Sequence, residues 1–79
     1  MSEKILTLPK EEAGFIYPSE IDEQFNGTIS VWENEKLIGF VLYNYDDWIF
    51  IKGVSYYSYH NDLVSLIKHY PNYKFKVNL

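Results

Sequence analysis

His60, Asp62 and His69 form the one grouping of metal-ligand side chains in the chain. A helix starting near Asn61 separates Asp62 from His69 by two turns, about 10 Å along its axis. That is too far for one coordination shell, and the helix itself explains both residues. Asp62 suits the positive first turn and His69 the negative last one. The expectation is therefore no metal. Glu11-Glu12 and Asp46-Asp47 are adjacent carboxylates, one pair in a connector and one in a turn. Sequence neighbours face water or diverge, whereas acid–base catalysis needs one carboxylate desolvated. Neither histidine sits in a nucleophile motif, and no glycine-rich phosphate loop occurs. The sequence predicts neither catalysis nor a cofactor.

Recognition chemistry is better supplied. The chain holds eight tyrosines, five phenylalanines and two tryptophans. Ser55-Tyr56-Tyr57-Ser58-Tyr59 mixes Tyr with Ser, a composition that gives rigid contact area at low entropic cost. Trp32, Tyr43 and Trp48 add large rings near acidic turns, where Tyr45, Asp46 and Asp47 lie together. The expected partner-binding set is Trp32, Tyr43, Tyr45, Asp46, Asp47, Trp48, Tyr56, Tyr57 and Tyr59.

These residues are positioned by the stretch 28–52, TISVWENEKLIGFVLYNYDDWIFIK. Glu33-Asn34-Glu35-Lys36 and Asn44-Tyr45-Asp46-Asp47 interrupt its apolar runs and suit turns. Three antiparallel strands follow, with Trp32 opposite Leu37 and Tyr43 opposite Trp48. Alternation then places Ile29, Val31, Ile38, Phe40, Leu42, Ile49 and Ile51 on one face. That face is expected to be the core. Ser30, Trp32, Leu37, Gly39, Val41, Tyr43, Trp48 and Phe50 fall on the other, an amphipathic aromatic face. It is either a free surface or covered by apolar residues of the N-terminal third: Ile5, Leu6, Leu8, Phe15, Ile16, Tyr17, Ile21 and Phe25.

Around this meander the sequence predicts a strand over Lys4 to Leu8, stopped by Pro9, and a polar connector from Lys10 to Gly14. A short helix over Glu20 to Phe25 is expected, capped by Ser19, with Asn26-Gly27 ending it. Residues 53–59 read as a linker. A helix over 61–70 gathers Leu63, Val64, Leu66, Ile67 and Tyr70 in an arc of about 160°. Tyr73 to Val77 alternates as a strand, with Lys74 and Lys76 outward as edge protection. The expected architecture is one α+β domain, residues 1–79: a small antiparallel sheet, made of the three-stranded meander 28–52 plus terminal strands, with the helix packed on its apolar face.

Totals narrow the function. A chain of this size is marginal without compensation; it has no cysteine, so aromatic burial or oligomerisation must supply it. No leader and no membrane-length apolar run is visible, which suits a cytoplasmic protein. Residues 1–51 carry ten acids against three lysines, residues 52–79 one acid against four lysines, and the net charge is −4. An acidic chain without arginine is a poor nucleic-acid binder. The expectation is a non-catalytic binding or inhibitor protein, with a basic protein as partner and no nucleic acid or membrane. A composition rich in Asn, Lys, Ile and Tyr is associated with AT-rich genomes. The expected role is a phage- or plasmid-borne antagonist of a nucleic-acid-handling or defence enzyme, or a toxin-immunity protein. The alternative is a structural, self-associating module, a homo-oligomer.

Overall fold

The computed structural model describes residues 3–7, 14–22 and 24–78. The expected stop at Pro9 and the connector over residues 10–13 lie outside the described residues. The elements are β1 (Glu3–Leu6), β2 (Phe15–Ile16), a 3-10 turn (Pro18–Glu20), β3 (Thr28–Glu33), β4 (Lys36–Asn44), β5 (Asp47–Lys52), β6 (Tyr56–His60), α1 (Leu63–His69) and β7 (Lys74–Asn78). They build one seven-stranded mixed sheet in the order β2-β1-β7-β3-β4-β5-β6. Every pairing is antiparallel except β1 with β2, which is parallel. The domain is thus sheet-dominated with one helix, but the sheet is larger than a meander with terminal strands and is not purely antiparallel.

Both expected hairpins form. Asn34 and Glu35 have φ of 51° and 65°, and Tyr45 and Asp46 have 49° and 66°. Two successive left-handed residues match the right-handed twist of the flanking strands. Tyr43 faces Trp48 and Trp32 faces Leu37, as the turn spacing predicts. The expected division into faces fails one step further on. The β3–β4 ladder shifts between Val31 and Trp32, so that Val31 pairs with Gly39 and Ile29 with Val41. Ile38 is the extra residue of a β-bulge. Ile29 and Val31 therefore join Val41, Trp48 and Phe50 on one side of the sheet. Gly39 fits there because a Cβ would overlap the Ile51 carbonyl oxygen of the neighbouring strand.

That side is the core. Leu6, Ile16, Ile29, Val31, Val41, Trp48, Phe50, Phe75 and Val77 meet Ile21, Leu63 and Leu66 in one buried cluster. The face expected to be core is instead open: Phe40 is 50% exposed and Leu42 40%. Ile49 is buried yet stands apart from the core cluster. The helix packs on the opposite face from the one assigned to it; Leu6 of β1 and Ile16 of β2 belong to that same side, and Ile21 joins them in the buried cluster.

Local signals explain the remaining differences. The helix is capped by Asp62 rather than Asn61, through Ser65 N–H donating to Asp62 Oδ1 at 2.7 Å. No α-helix forms over Glu20 to Phe25 among the described residues. The chain makes a 3-10 turn in which Tyr17 N–H donates to Glu20 Oε2 at 2.9 Å, and Gln24 N–H donates to Asp22 Oδ1 at 2.9 Å. Side-chain acceptors offered to nearby amides compete with helix formation. Residues 56–60 are a strand, not a linker. β7 lies inside the sheet between β1 and β3, so Lys74 and Lys76 protect no edge.

The two faces give opposite expectations for substitution. Phe50→Ala, at a fully buried ring, costs about 3–5 kcal/mol. Phe40→Ala, on the open face, costs roughly 1 kcal/mol or less, since half the ring is already in water. Urea midpoints of the two variants check this; equal shifts would restore the Phe40 face as core.

Candidate binding face

Two sets of polar chemistry and one apolar surface stand out. The apolar surface comes from strand parity. Cross-strand partners share a side, and one row runs Tyr57, Ile51, Phe40, Ser30, Lys76, Ile5, Phe15 across all seven strands. The next row runs Tyr59, Ile49, Leu42. Among the described residues no element covers this side of β4, β5 and β6, because α1 packs on the other. Tyr57 is 51% exposed and Tyr59 61%, beside half-exposed Phe40 and Leu42. Asp47 closes one end of the patch through its pairing with Asn44. Tyr45, 89% exposed, stands at the hairpin tip next to Asp46.

The expected partner-binding set is divided by the sheet. Trp48 is buried, 7% exposed, with its ring 5.1 Å from that of Tyr43. Both line a cavity of about 180 Å³ on the helix side, closed by Phe25, Gly27, Ile29 and Val41. The Tyr43 hydroxyl donates to Asp46 Oδ1 at 3.2 Å. The expectation that Trp48 stands at the surface is corrected: Asp22, Phe25 and Gly27 line the same cavity on its side of the sheet, and Ile21 joins its buried cluster. Tyr56 also points to the helix side, its hydroxyl 2.9 Å from that of Tyr70. Tyr57 and Tyr59 take the open side. Residue alternation within β6 separates tyrosines that a loop would have presented together.

Trp32 lies at the far end of the open face. Its indole Nε1–H donates to Ser30 Oγ at 2.8 Å, and the Lys76 ammonium sits 4.2 Å from the ring centroid, a cation–π contact. Trp32, Asn34, Glu35, Asn72, Lys74 and Lys76 line an open cleft of about 420 Å³. Sequence reasoning missed Phe40 and Leu42 as surface residues, and the Trp32–Lys76 pair. The first was hidden by the bulge. The second depends on β7 pairing with β3, which no local pattern encodes.

The histidines do meet. The His60 and His69 rings lie 5.4 Å apart, and His60 Nε2 is hydrogen-bonded to Ser58 Oγ at 2.6 Å. Among the described residues no three His, Cys, Asp or Glu side chains gather as a metal site. Partial burial lowers the His60 pKa below its ordinary value; His69 lowers it further and Asp62 opposes. Asp62 is lowered by the Ser65 backbone hydrogen bond, the helix cap. Tyr70 is raised, mainly by burial. These shifts trace to packing around the two ends of α1. Compared with known protein families, curated proteins and solved structures, the chain finds no match.

The His60 shift has a definite sign. The folded state holds the proton more weakly than the unfolded state, whose pKa is about 6.5. The neutral ring's contribution is complete above pH 6.5 and is lost as the pH falls below that value toward the lowered folded pKa. Asp62 acts only at more acidic pH, because its own pKa is lowered from 3.8. Thermal melts should therefore fall between pH 7 and pH 5, and His60→Gln should flatten the fall. An unchanged slope in His60→Gln would assign the fall to another group.

Proposed function

We propose that this chain is a non-catalytic binding protein that docks a basic protein on the open face of β4, β5 and β6. The observation that carries the reading is the apolar patch of Phe40, Leu42, Ile51, Tyr57 and Tyr59, which no element among the described residues covers. Antiparallel sheets with one wet face ordinarily alternate apolar with polar. An apolar wet face marks an interaction surface. The apolar residues supply contact energy, and Asp46 and Asp47 at the patch end supply steering toward positive charge. Enzymes that handle nucleic acids present positive substrate sites. The proposed action is obstruction of such a site, as a phage- or plasmid-borne antagonist or a toxin-immunity protein would act.

The test pairs wild type with Phe40→Ser/Tyr57→Ser in affinity capture at low and high salt, from a lysate of a low-GC bacterium. Aromatic anchors that fill a partner's pocket lose about 2 kcal/mol or more on truncation, roughly thirtyfold in affinity. The expected result is a basic protein retained by wild type, weakened by salt and lost by the variant, with near-equal melts of the two chains. Asp46→Asn/Asp47→Asn should slow association with little change in dissociation. Retention unaffected by the double serine variant would reject the open face as the docking surface.

A second reading has one observation behind it, the Trp32–Lys74–Lys76 cleft, where a base would stack and phosphates would meet ammonium groups. Glu35 lines the same cleft and the chain carries −4 overall. Fluorescence anisotropy with single-stranded oligonucleotides is therefore expected to show no binding at physiological salt. Micromolar, salt-sensitive binding lost in Lys74→Met/Lys76→Met would favour the cleft instead.

A further inference from the structure

The two edges of the sheet differ. β2 presents two residues, β6 presents five. An unpaired strand edge is a template for another chain, and proteins defend such edges with charge, proline, bulges or brevity. β6 reads Tyr56-Tyr57-Ser58-Tyr59-His60, with no proline and no Lys, Arg, Asp or Glu. Its ladder with β5 runs without a register shift from Trp48–His60 to Lys52–Tyr56. None of the usual defences is present at an edge continuous with the exposed Tyr57 and Tyr59 of the open face.

We infer that β6 pairs antiparallel with β6 of a second copy, about a two-fold axis at Ser58. The segment suits its own reversal. Tyr57 falls opposite Tyr59 of the second copy on the open side, twice by symmetry, and aromatic cross-strand pairs are favourable. Tyr56 falls opposite His60 on the helix side. A symmetric, closed contact of this kind yields a dimer rather than a fibre. Charge agrees with the direction. Each copy carries −4, so association in general is opposed, but β6 itself is free of full charges and antiparallel docking brings the Lys52 end of one copy to the Asp62 end of the other. Tyr56, Tyr57 and Tyr59 are 48%, 51% and 61% exposed, so each copy offers half-exposed rings as well as backbone. A five-residue pairing stays below the roughly 800 Å² per partner of a standard stable interface. The dimer is therefore weak and reversible. It forms one continuous sheet across two copies and sets their two open faces side by side, with Tyr57 and Tyr59 at the centre. It stands independently of what docks on those faces.

Sedimentation equilibrium of the purified chain, with no partner present, tests the pairing. Mass should rise from one chain to two across the micromolar range. Tyr57→Lys/Tyr59→Lys sets lysine opposite lysine and should weaken the dimer roughly tenfold or more, whereas Tyr57→Asp/Tyr59→Lys sets opposite charges in register and should retain it. Melts establish that both variants fold. If either fails to fold, hydrogen exchange on wild type decides, with protection of amides in residues 56–60 rising with concentration. A chain that stays monomeric to millimolar concentration, a dimer indifferent to both variants, equal loss in both, or exchange in β6 independent of concentration would each overturn the inference.

Discussion

Ile38 has no partner across the β3–β4 ladder, and the rest of the architecture follows from that extra residue. Without it, Ile29 and Val31 would share a side with Phe40 and Leu42, and the strands from β3 to β5 would carry one almost purely aliphatic face. With it, the two residues cross to the side of Val41, Trp48 and Phe50. Phe75 and Val77 must then lie on that side too, because β7 pairs with β3 through Ile29–Val77 and Val31–Phe75. β1 pairs with β7 and brings Leu6 to the same layer. One bulge thus aligns the buried residues of five strands and leaves the helix a continuous surface to cover.

Aromatic packing holds that layer together in the absence of disulfides. The fully buried Phe50 ring lies 4.9 Å from Tyr70, 5.9 Å from Tyr73 and 6.1 Å from Tyr56, each edge-on, while Tyr70 and Tyr73 stack at 5.4 Å. Tilted contacts of this kind add stabilisation beyond area alone. They also join three segments that the chain visits separately: β6, the C-terminal end of α1 and the turn before β7. A small domain buries a modest share of its surface, and here the burial is concentrated on one side of the sheet. On the open side Ile49 is buried, while Phe40 and Leu42 remain exposed.

Much of this was legible in residue types. Asn34 and Asp46 tolerate the left-handed conformation, so both hairpins and their first pairs could be read from turn chemistry. Pro71 and the Leu63, Leu66, Ile67, Tyr70 stripe gave the helix. The choice of core face was not legible, because both sides of residues 28–52 are apolar and binary pattern decides only when one side is polar. Nor was the bulge, which answers to the close approach of Gly39 and Ile51 and to pairing with β7. β6 was obscured by Ser55, Ser58 and Gly53, although tyrosine favours strands. The candidate site suffered most from these gaps. Trp48 and Tyr57 look alike as exposed aromatic candidates in the sequence, and alternation sends one to the core and the other to the open face.

The charge pattern changes meaning in the same way. Along the chain, acids dominate the first two thirds and lysines the last, which suggests an acidic half and a basic half. The fold interleaves them. β7 carries Lys74 and Lys76 into the middle of the sheet, where Lys76 lies over Trp32 and both lysines share a cleft with Glu35. The acidic end of the open patch then comes from one turn, where Asp47 lies beyond Leu42 and Ile49 and Asp46 accepts from Tyr43 of the other side, while the lysines flank it across β3. Charge on this face is therefore graded along the sheet rather than uniform. At physiological salt the field of an exposed charge decays within about 8 Å, so a docking protein would meet the acids and the lysines as separate local fields. Such an arrangement would orient a protein docked on the proposed patch, and net charge alone does not describe it.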